Sequence, residues 1–176
     1  MTTASRTPEG PAGTPGTGAV LALGSNLGES RGTLASAVAD LTGSDRVRLT
    51  AASPVVRTRA VGGPEQPDYL NQVIEVATDL GPYELLAHCQ AVEEKHLRTR
   101  TVRWGPRTLD IDIITFGAWT STDPRLTVPH PRAAERAFVL KPWSLMDPAA
   151  TLGGVSVAEL AAGAADLPGL ALCQEG

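Results

Sequence analysis

The chain has 176 residues and a formal net charge of −4, with 19 acidic and 15 basic residues. This length suits one domain with a single core, and the acidic balance argues against electrostatic binding along a nucleic-acid backbone. No stretch of sequence approaches the roughly 20 apolar residues that a membrane span needs. The two cysteines are far apart in sequence, which argues against a disulfide framework and favours a reducing compartment. We therefore expect a cytoplasmic monomer that binds neither nucleic acid nor membrane.

The first half of the chain predicts an extension, two strands and a helix. Residues 1–18, rich in Gly, Pro, Thr and Ala, predict a disordered extension, and residues 19–176 predict one domain. The apolar run 19–23 predicts a buried strand. Apolar residues at helical spacing over 34–41 predict a helix. Residues 46–58 are rich in β-branched side chains and predict a long strand, in which a proline indicates an edge or a bulge.

The second half repeats this alternation of strands and helices. Residues 59–68 predict a loop that is longer than most connections, and residues 69–80 predict a strand. A helix is predicted over 82–97, because apolar residues recur there at helical spacing and because the proline at its start is tolerated in a first turn. A strand beginning at residue 109 then completes a β-α-β-β-α-β order. This order predicts a ferredoxin-like α+β fold, with an antiparallel sheet, both helices on one face, and a C-terminal extension containing one more helix over 156–165.

The run from Arg103 to Ile114 joins basic residues to two alternating carboxylates. On a strand this alternation turns Asp110 and Asp112 to one face and the apolar residues to the other. Two residues of rise separate the aspartates by about 6.6 Å, whereas paired catalytic metals lie roughly 3.5–4 Å apart. The two carboxylates could therefore flank or bridge a metal pair, and oxygen ligands suit magnesium. An isolated D-x-D is more often a solvated edge strand, but the flanking arginines, Arg107 among them, favour the metal site.

The basic residues are concentrated around this run. Seven of the 15 Lys and Arg residues lie between positions 95 and 132, which favours a small anionic ligand over a long polymer.

Four motifs follow one another along the chain: residues 23–28, 66–71, 103–112 and 126–131, the last followed by Arg136-Ala137-Phe138. In this order the four motifs resemble the 6-hydroxymethyl-7,8-dihydropterin pyrophosphokinase family over residues 20–148. The resemblance implies a ferredoxin-like fold and a role in folate biosynthesis. It also implies transfer of a pyrophosphoryl group from ATP to the hydroxymethyl oxygen of 6-hydroxymethyl-7,8-dihydropterin, leaving AMP, with two magnesium ions (Mg²⁺).

The resemblance also implies roles for individual residues. Asp110 and Asp112 are the implied metal ligands. The residues implied to be catalytic are Arg98, Arg100, Arg107, Asp110 and Asp112. The residues implied to contact ATP are Gln90, Glu93, Arg98, Arg100, Trp104, Arg107, Ile113, Arg125, Thr127, His130 and Arg136. The residues implied to contact the pterin are Thr58, Val61, Tyr69, Asn71, Asp110 and Phe138.

Simpler interpretations stay open for several of these residues. Tyr69 and Phe138 could be core residues, and Gln90 and Glu93 could be a solvated pair on one helix face. For the whole chain, one alternative is an RNA-binding module, because the ferredoxin-like arrangement also serves RNA recognition. A second alternative is a kinase that transfers only the γ-phosphoryl group.

Overall fold

The computed structural model describes residues 16–25, 30–58, 69–98 and 109–172, without the side chains of Ser30, Leu97 and Arg98. Residues 1–15 of the predicted extension and the predicted loop 59–68 lie outside these ranges. The elements, in chain order, are β1 (Thr17–Ser25), α1 (Ser30–Thr42), β2 (Val47–Ala52), β3 (Val56–Thr58), β4 (Tyr69–Thr78), α2 (Pro82–Arg98), β5 (Leu109–Phe116), β6 (Ser121–Asp123), β7 (Leu126–Val128), α3 (Ala137–Met146), β8 (Thr151–Leu152), β9 (Val155–Ser156), α4 (Val157–Ala162) and β10 (Leu170–Leu172).

Within the described ranges, six strands form one antiparallel sheet. Its order is β10-β3-β4-β1-β5, and β2 also pairs with β4. The two long strands β1 and β4 therefore lie in the middle of the sheet. The strand prediction is confirmed for the central elements, although β1 begins at Thr17, two residues earlier than expected.

The predicted strand over 46–58 is broken into β2 and β3 at Pro54, as its proline indicated. Ser53 closes the gap by hydrogen bonding to β4. Its backbone N–H donates to the carbonyl of Val73 at 2.8 Å, and its hydroxyl accepts from the N–H of Val73 at 2.9 Å. Both halves of the broken strand thus remain paired with β4, which keeps Thr58 in register beside Tyr69.

The first core lies between the sheet and the helices α1 and α2, which pack on one face as predicted. Alternate residues of β1, such as Leu21 and Leu23, point into this core and meet Leu34, Leu41 and Leu85 of the two helices. The period-2 alternation along β1 sends its other side chains to the opposite face.

The second core covers that opposite face and is built from the C-terminal part of the chain. Val20 and Val73 of the sheet pack there against Leu140 and Trp143 of α3 and against α4. The helix α3 was not predicted, because Pro142 lies inside it and because most of its residues are buried, which leaves no amphipathic pattern. The one-face arrangement therefore applies to α1 and α2 only. None of the described helices combines the length and the apolar character needed to cross a membrane.

The alternation along β5 decides which face its carboxylates occupy. Leu109, Ile111 and Ile113 point into the first core, so Asp110 and Asp112 project from the face that α3 covers. A bulge lies beyond the two aspartates, where the register with β1 shifts between Val20 and Leu21. It reverses the alternation, so that Ile114 points into the second core and Phe116 into the first.

Candidate active site

A cavity of about 560 Å³ lies on the α3 face of the sheet, over the C-terminal half of β1. Two small residues of β1, Ala22 and Gly24, line it and form its floor. Gly24 pairs with Asp110 of β5 on one side and with Asn71 of β4 on the other. Ala22 pairs in the same way with Asp112. Because Ala22 and Gly24 have no bulky side chain, this part of β1 leaves room for a ligand between the functional groups of β4 and β5.

One end of the cavity carries two aromatic rings and an amide. Tyr69 and Asn71 of β4, Thr58 of β3 and Phe138 of α3 line it. The Asn71 side chain is only 7% exposed, and its Nδ2 donates to Oγ1 of Thr58 at 3.2 Å. The Oδ1 of Asn71 lies so close to β1 that a Cβ on Gly24 would approach it to 2.9 Å. Rings and a fixed amide at one end suit a flat heterocycle with a polar edge.

The other end of the cavity carries the two carboxylates of β5, as the alternating pattern predicted. Partial burial raises the pKa of Asp110, and the charge of Asp112 raises it further, while Arg136 opposes both. Nearby Glu93 of α2 accepts a hydrogen bond from the N–H of Ile111 at 3.3 Å. The pKa of Glu93 is also raised, first by burial and then by Asp110 and Asp112. Burial first, and repulsion between neighbouring carboxylates second, thus disfavour the ionised forms, and a bound cation would favour them.

The donor set fits a magnesium ion that also binds ligand oxygens. Asp110 and Asp112 offer hard oxygen donors on one face of one strand, the kind that magnesium prefers. In the part of the chain that the structure describes, no three His, Cys, Asp or Glu side chains group closely enough to hold a metal ion. An ion at Asp110 and Asp112 would therefore complete its coordination with phosphate oxygens and water.

Cationic and donor groups surround the carboxylate end. Arg132 and Arg136 line the cavity. The Nδ1 of His130 accepts a hydrogen bond from the backbone N–H of Arg132 at 3.2 Å, so the proton of the neutral ring resides on Nε2. Burial lowers the pKa of His130, and Arg136 and Arg132 act in the same direction against the charge of Asp112. The Nε2–H of a neutral imidazole can donate to a phosphate oxygen.

Arg136 joins the two ends of the cavity. Its guanidinium carbon lies 5.5 Å from the centre of the Phe138 ring, a cation–π geometry, and its charge opposes the raised pKa of Asp110. The side chain that contacts the ring end thus also acts on the carboxylate end.

Several predicted ATP contacts lie away from this cavity or are engaged elsewhere. Ile113 is buried in the first core, so only its backbone could meet a ligand. Arg125 donates to Asp123 at 2.8 Å and stacks over Tyr83 at 5.0 Å, while the Thr127 hydroxyl donates to the Asp123 carbonyl at 2.9 Å. Gln90 is exposed on α2.

Other predicted site residues fall outside the described ranges. Arg98 ends α2, but its side chain is not described. Val61, Arg100, Trp104 and Arg107 lie in the ranges 59–68 and 99–108, which are not described. Their roles stay predictions.

Two parts of the site were not predicted. The first is Arg132, which ends the cluster of basic residues between positions 95 and 132 and directly follows His130 and Pro131, but which no motif includes. The second part is a wall formed by Ala165, Asp166, Pro168 and Gly169, for which the sequence carried no signal. Only the fold brings this wall to the cavity.

The fold and the cavity together define a class: a protein of mixed helices and antiparallel strands, whose sheet carries a cavity with aromatic rings at one end and carboxylates at the other. The chain belongs to the 7,8-dihydro-6-hydroxymethylpterin-pyrophosphokinase family, whose model matches residues 20–148.

Curated relatives support this membership. The chain is 45% identical over 124 residues to a Bacillus subtilis protein named 2-amino-4-hydroxy-6-hydroxymethyldihydropteridine pyrophosphokinase, covering 70% of this chain and 74% of the relative. A Methylorubrum extorquens protein of the same name is 39% identical over 143 residues, covering 81% of this chain and 90% of the relative.

Solved structures of low identity show a similar fold. The wild-type HPPK-DHPS of Plasmodium falciparum, crystallised with SDX-DHP, superposes with a TM-score of 0.66 at 13% identity, covering 84% of this chain. A structure of HPPK-DHPS in complex with substrates gives a TM-score of 0.65 at 12% identity, again covering 84% of this chain. The chain spans 44% and 43% of the length of those two proteins.

Proposed function

We propose that this protein transfers a pyrophosphoryl group from ATP to the hydroxymethyl group of 6-hydroxymethyl-7,8-dihydropterin. The products are AMP and the pterin diphosphate, a step of folate biosynthesis. Family membership and the names of the curated relatives support the reaction. The observation that carries it is that a single cavity combines a ring-lined end, a carboxylate end and Arg136 between them.

The ring end would bind the pterin. Tyr69 and Phe138 supply aromatic surface for the flat ring, and the Asn71 amide supplies a donor and an acceptor for its polar edge. The hydrogen bond from Asn71 to Thr58 holds that amide in place before the ligand arrives. A fixed amide reduces the entropy lost on binding.

The carboxylate end would bind the triphosphate of ATP together with magnesium. Bound magnesium would neutralise charge on the phosphates as the hydroxymethyl oxygen attacks the β-phosphorus. Asp110 and Asp112 are proposed to hold two Mg²⁺ ions. His130 would donate from Nε2 to a phosphate oxygen, and Arg136 would hold the transferred group near the ring end.

Three arginines complete the proposed site. Arg107 is proposed to bind phosphate, and Arg98 and Arg100 are proposed to contact ATP. These assignments rest on the family motif over 103–112 and on the position of Arg98 at the end of α2, which precedes the aspartate-bearing strand.

Three further parts of the proposal concern the whole molecule. The ferredoxin-like name is supported by the β-α-β-β-α-β order, once β2 and β3 are taken as one broken strand, and by the neighbour order β5, β1, β4 and then β2 or β3. A cytoplasmic location is supported by Cys89, a buried free thiol. We also propose that the protein acts as a monomer, since the cavity is built from residues of one chain.

The test is a product analysis with ATP, Mg²⁺ and 6-hydroxymethyl-7,8-dihydropterin. The expected products are AMP and the pterin diphosphate in equal amounts, resolved by chromatography. ADP in place of AMP would instead identify transfer of the γ-phosphoryl group alone. An Asp112→Ala variant is the control, since it should lose turnover while keeping a wild-type Tm. Nucleotide turnover that does not depend on the pterin would contradict the proposal.

A further inference from the structure

The segment Asp166–Leu172, which we call the C-terminal clasp, contacts both sides of the ring end of the cavity. It lies beyond residues 20–148, where the family model matches. Asp166 begins a short turn over Leu167–Gly169, which leads directly into β10. Asp166, Pro168 and Gly169 line the cavity. The clasp is therefore part of the cavity wall although it is outside the family match.

At its far end the clasp joins the sheet. Leu170 of β10 pairs with Thr58 of β3, and Leu172 pairs with Val56. Thr58 in turn accepts the hydrogen bond from Asn71. Because β3 has only three residues, pairing on both of its edges fixes the position of Thr58 more firmly than pairing with β4 alone.

At its near end the clasp caps α3. The first residues of a helix have backbone N–H groups without partners inside the helix, and a side-chain acceptor usually satisfies one of them. Arg136 occupies the N-cap position of α3 and has no acceptor atom in its side chain. The carboxylate of Asp166, 29 residues away in sequence, accepts from the buried Ala137 N–H with both oxygens, at 2.9 and 3.1 Å.

We propose that Asp166 is a positioning residue for the substrate cavity: by capping α3 it fixes the turn that presents Arg136 and Phe138. The capped residue, Ala137, lies directly between these two. A carboxylate at this point also interacts favourably with the N-terminal end of the helix dipole. Without the cap, the first turn of α3 would fray, and the ring of Phe138 and the guanidinium of Arg136 would lose their fixed positions. This inference rests on the proposed function for its substrate.

The test compares Asp166→Ala with two matched variants. Asp166→Asn keeps an oxygen acceptor of the same length for the Ala137 N–H. Asp147→Ala removes a similar carboxylate–amide bond, Oδ1 to the N–H of Ala149 at 3.1 Å, from the other end of α3. Pterin affinity is measured by calorimetry in the presence of Mg²⁺ and a non-hydrolysable ATP analogue. Hydrogen–deuterium exchange of the free protein follows the first turn of α3, and its readout needs no ligand.

Asp166→Ala should weaken pterin binding by up to about fivefold, the equivalent of a lost cap of about 1 kcal/mol, and should speed exchange over residues 137–140. Asp166→Asn should restore both, and Asp147→Ala should leave both unchanged while lowering the Tm. Unchanged exchange in Asp166→Ala, unchanged pterin affinity, or an Asn variant as defective as the Ala variant would each overturn the positioning role. Absence of pterin binding by the wild-type protein would instead refute the proposed function, and the exchange data would still decide whether Asp166 caps α3.

Discussion

Gly24→Ala should impair pterin binding through Asn71, although the substitution adds a single methyl group to the cavity floor. The new Cβ would lie 2.9 Å from Oδ1 of Asn71. Ordinary van der Waals contact begins near 3.4 Å, so the amide must retreat by about 0.5 Å. Asn71 already donates to Thr58 at 3.2 Å, the upper end of the usual range for such bonds. A retreat of this size rotates or breaks that bond and moves the group that would bind the polar edge of the pterin.

The magnitude follows from the hydrogen bonds at stake. One bond within the protein and one to the ligand are each worth about 0.5–1.5 kcal/mol. A combined loss of about 1–3 kcal/mol corresponds to pterin binding that is roughly 5- to 150-fold weaker. Overpacking also destabilises a fold by about 1–3 kcal/mol, so affinity has to be measured well below the Tm of the variant.

The assay is calorimetric titration of the pterin, with Gly18→Ala as the matched control. Gly18 lies on the same strand, but a Cβ there would meet no atom within 4 Å, so this variant should bind like the wild type. The steric route through Asn71 is tested by combining Gly24→Ala with Asn71→Ala. If the methyl group acts through the amide, the double variant should bind no more weakly than Asn71→Ala alone. Wild-type affinity in Gly24→Ala would refute the reasoning.

Three further predictions address Asp110, Phe138 and the two arginines Arg98 and Arg100. Because the pKa of Asp110 is raised in the fold, its ionised form opposes folding, and Asp110→Asn should raise the Tm at pH 7 without metal. The gain should shrink as the pH falls through the raised pKa of Asp110 towards the ordinary aspartate value of about 3.9; a constant gain would contradict the electrostatic cause. Phe138→Ala should weaken pterin binding at least about tenfold, whereas Leu145→Ala, a change at an exposed residue of the same helix, should not. Equal pterin affinities of the two variants would show that Phe138 serves only in packing. In single-turnover experiments, Arg98→Ala and Arg100→Ala should each slow the chemical step by a factor of about 10³–10⁵ with little change in ATP affinity. Normal rates in both variants would show that these two arginines take no part in catalysis.

The central fold was predictable because its signals are local. The alternation over 109–113 and the helical spacing over 34–41 each report a face that is buried in the first core. The break at Pro54 was also predictable, since proline cannot donate to a strand ladder. The helix α3 of the second core was harder to predict. It is buried on most sides and contains Pro142, so neither its period nor its composition distinguished it from a loop.

The candidate site divides in the same way. Asp110, Asp112, Tyr69, Asn71, Arg136 and Phe138 lie in motifs and were predicted, as was Thr58 outside the motifs, and the structure brings all seven to one cavity. The cap from Asp166 to Ala137 spans 29 residues, and no pattern in the sequence links the two positions. The pairing of Arg125 with Asp123, only two residues away, was missed for a different reason, because the hairpin between β6 and β7 was not predicted.

The helix α3 changes the ionisation of the side chains on the acidic face of the sheet. Without α3, Asp110 and Asp112 would lie on an open sheet face, where water screens like charges and leaves carboxyl pKa values near normal. The helix covers that face and desolvates it, which raises the pKa of Asp110 and lowers that of His130. The same lower polarity strengthens any attraction between these carboxylates and a cation, or between Arg136 and a phosphate. Residues that hold α3 in place, Asp166 among them, therefore act on the charges of the site without contacting the reacting atoms.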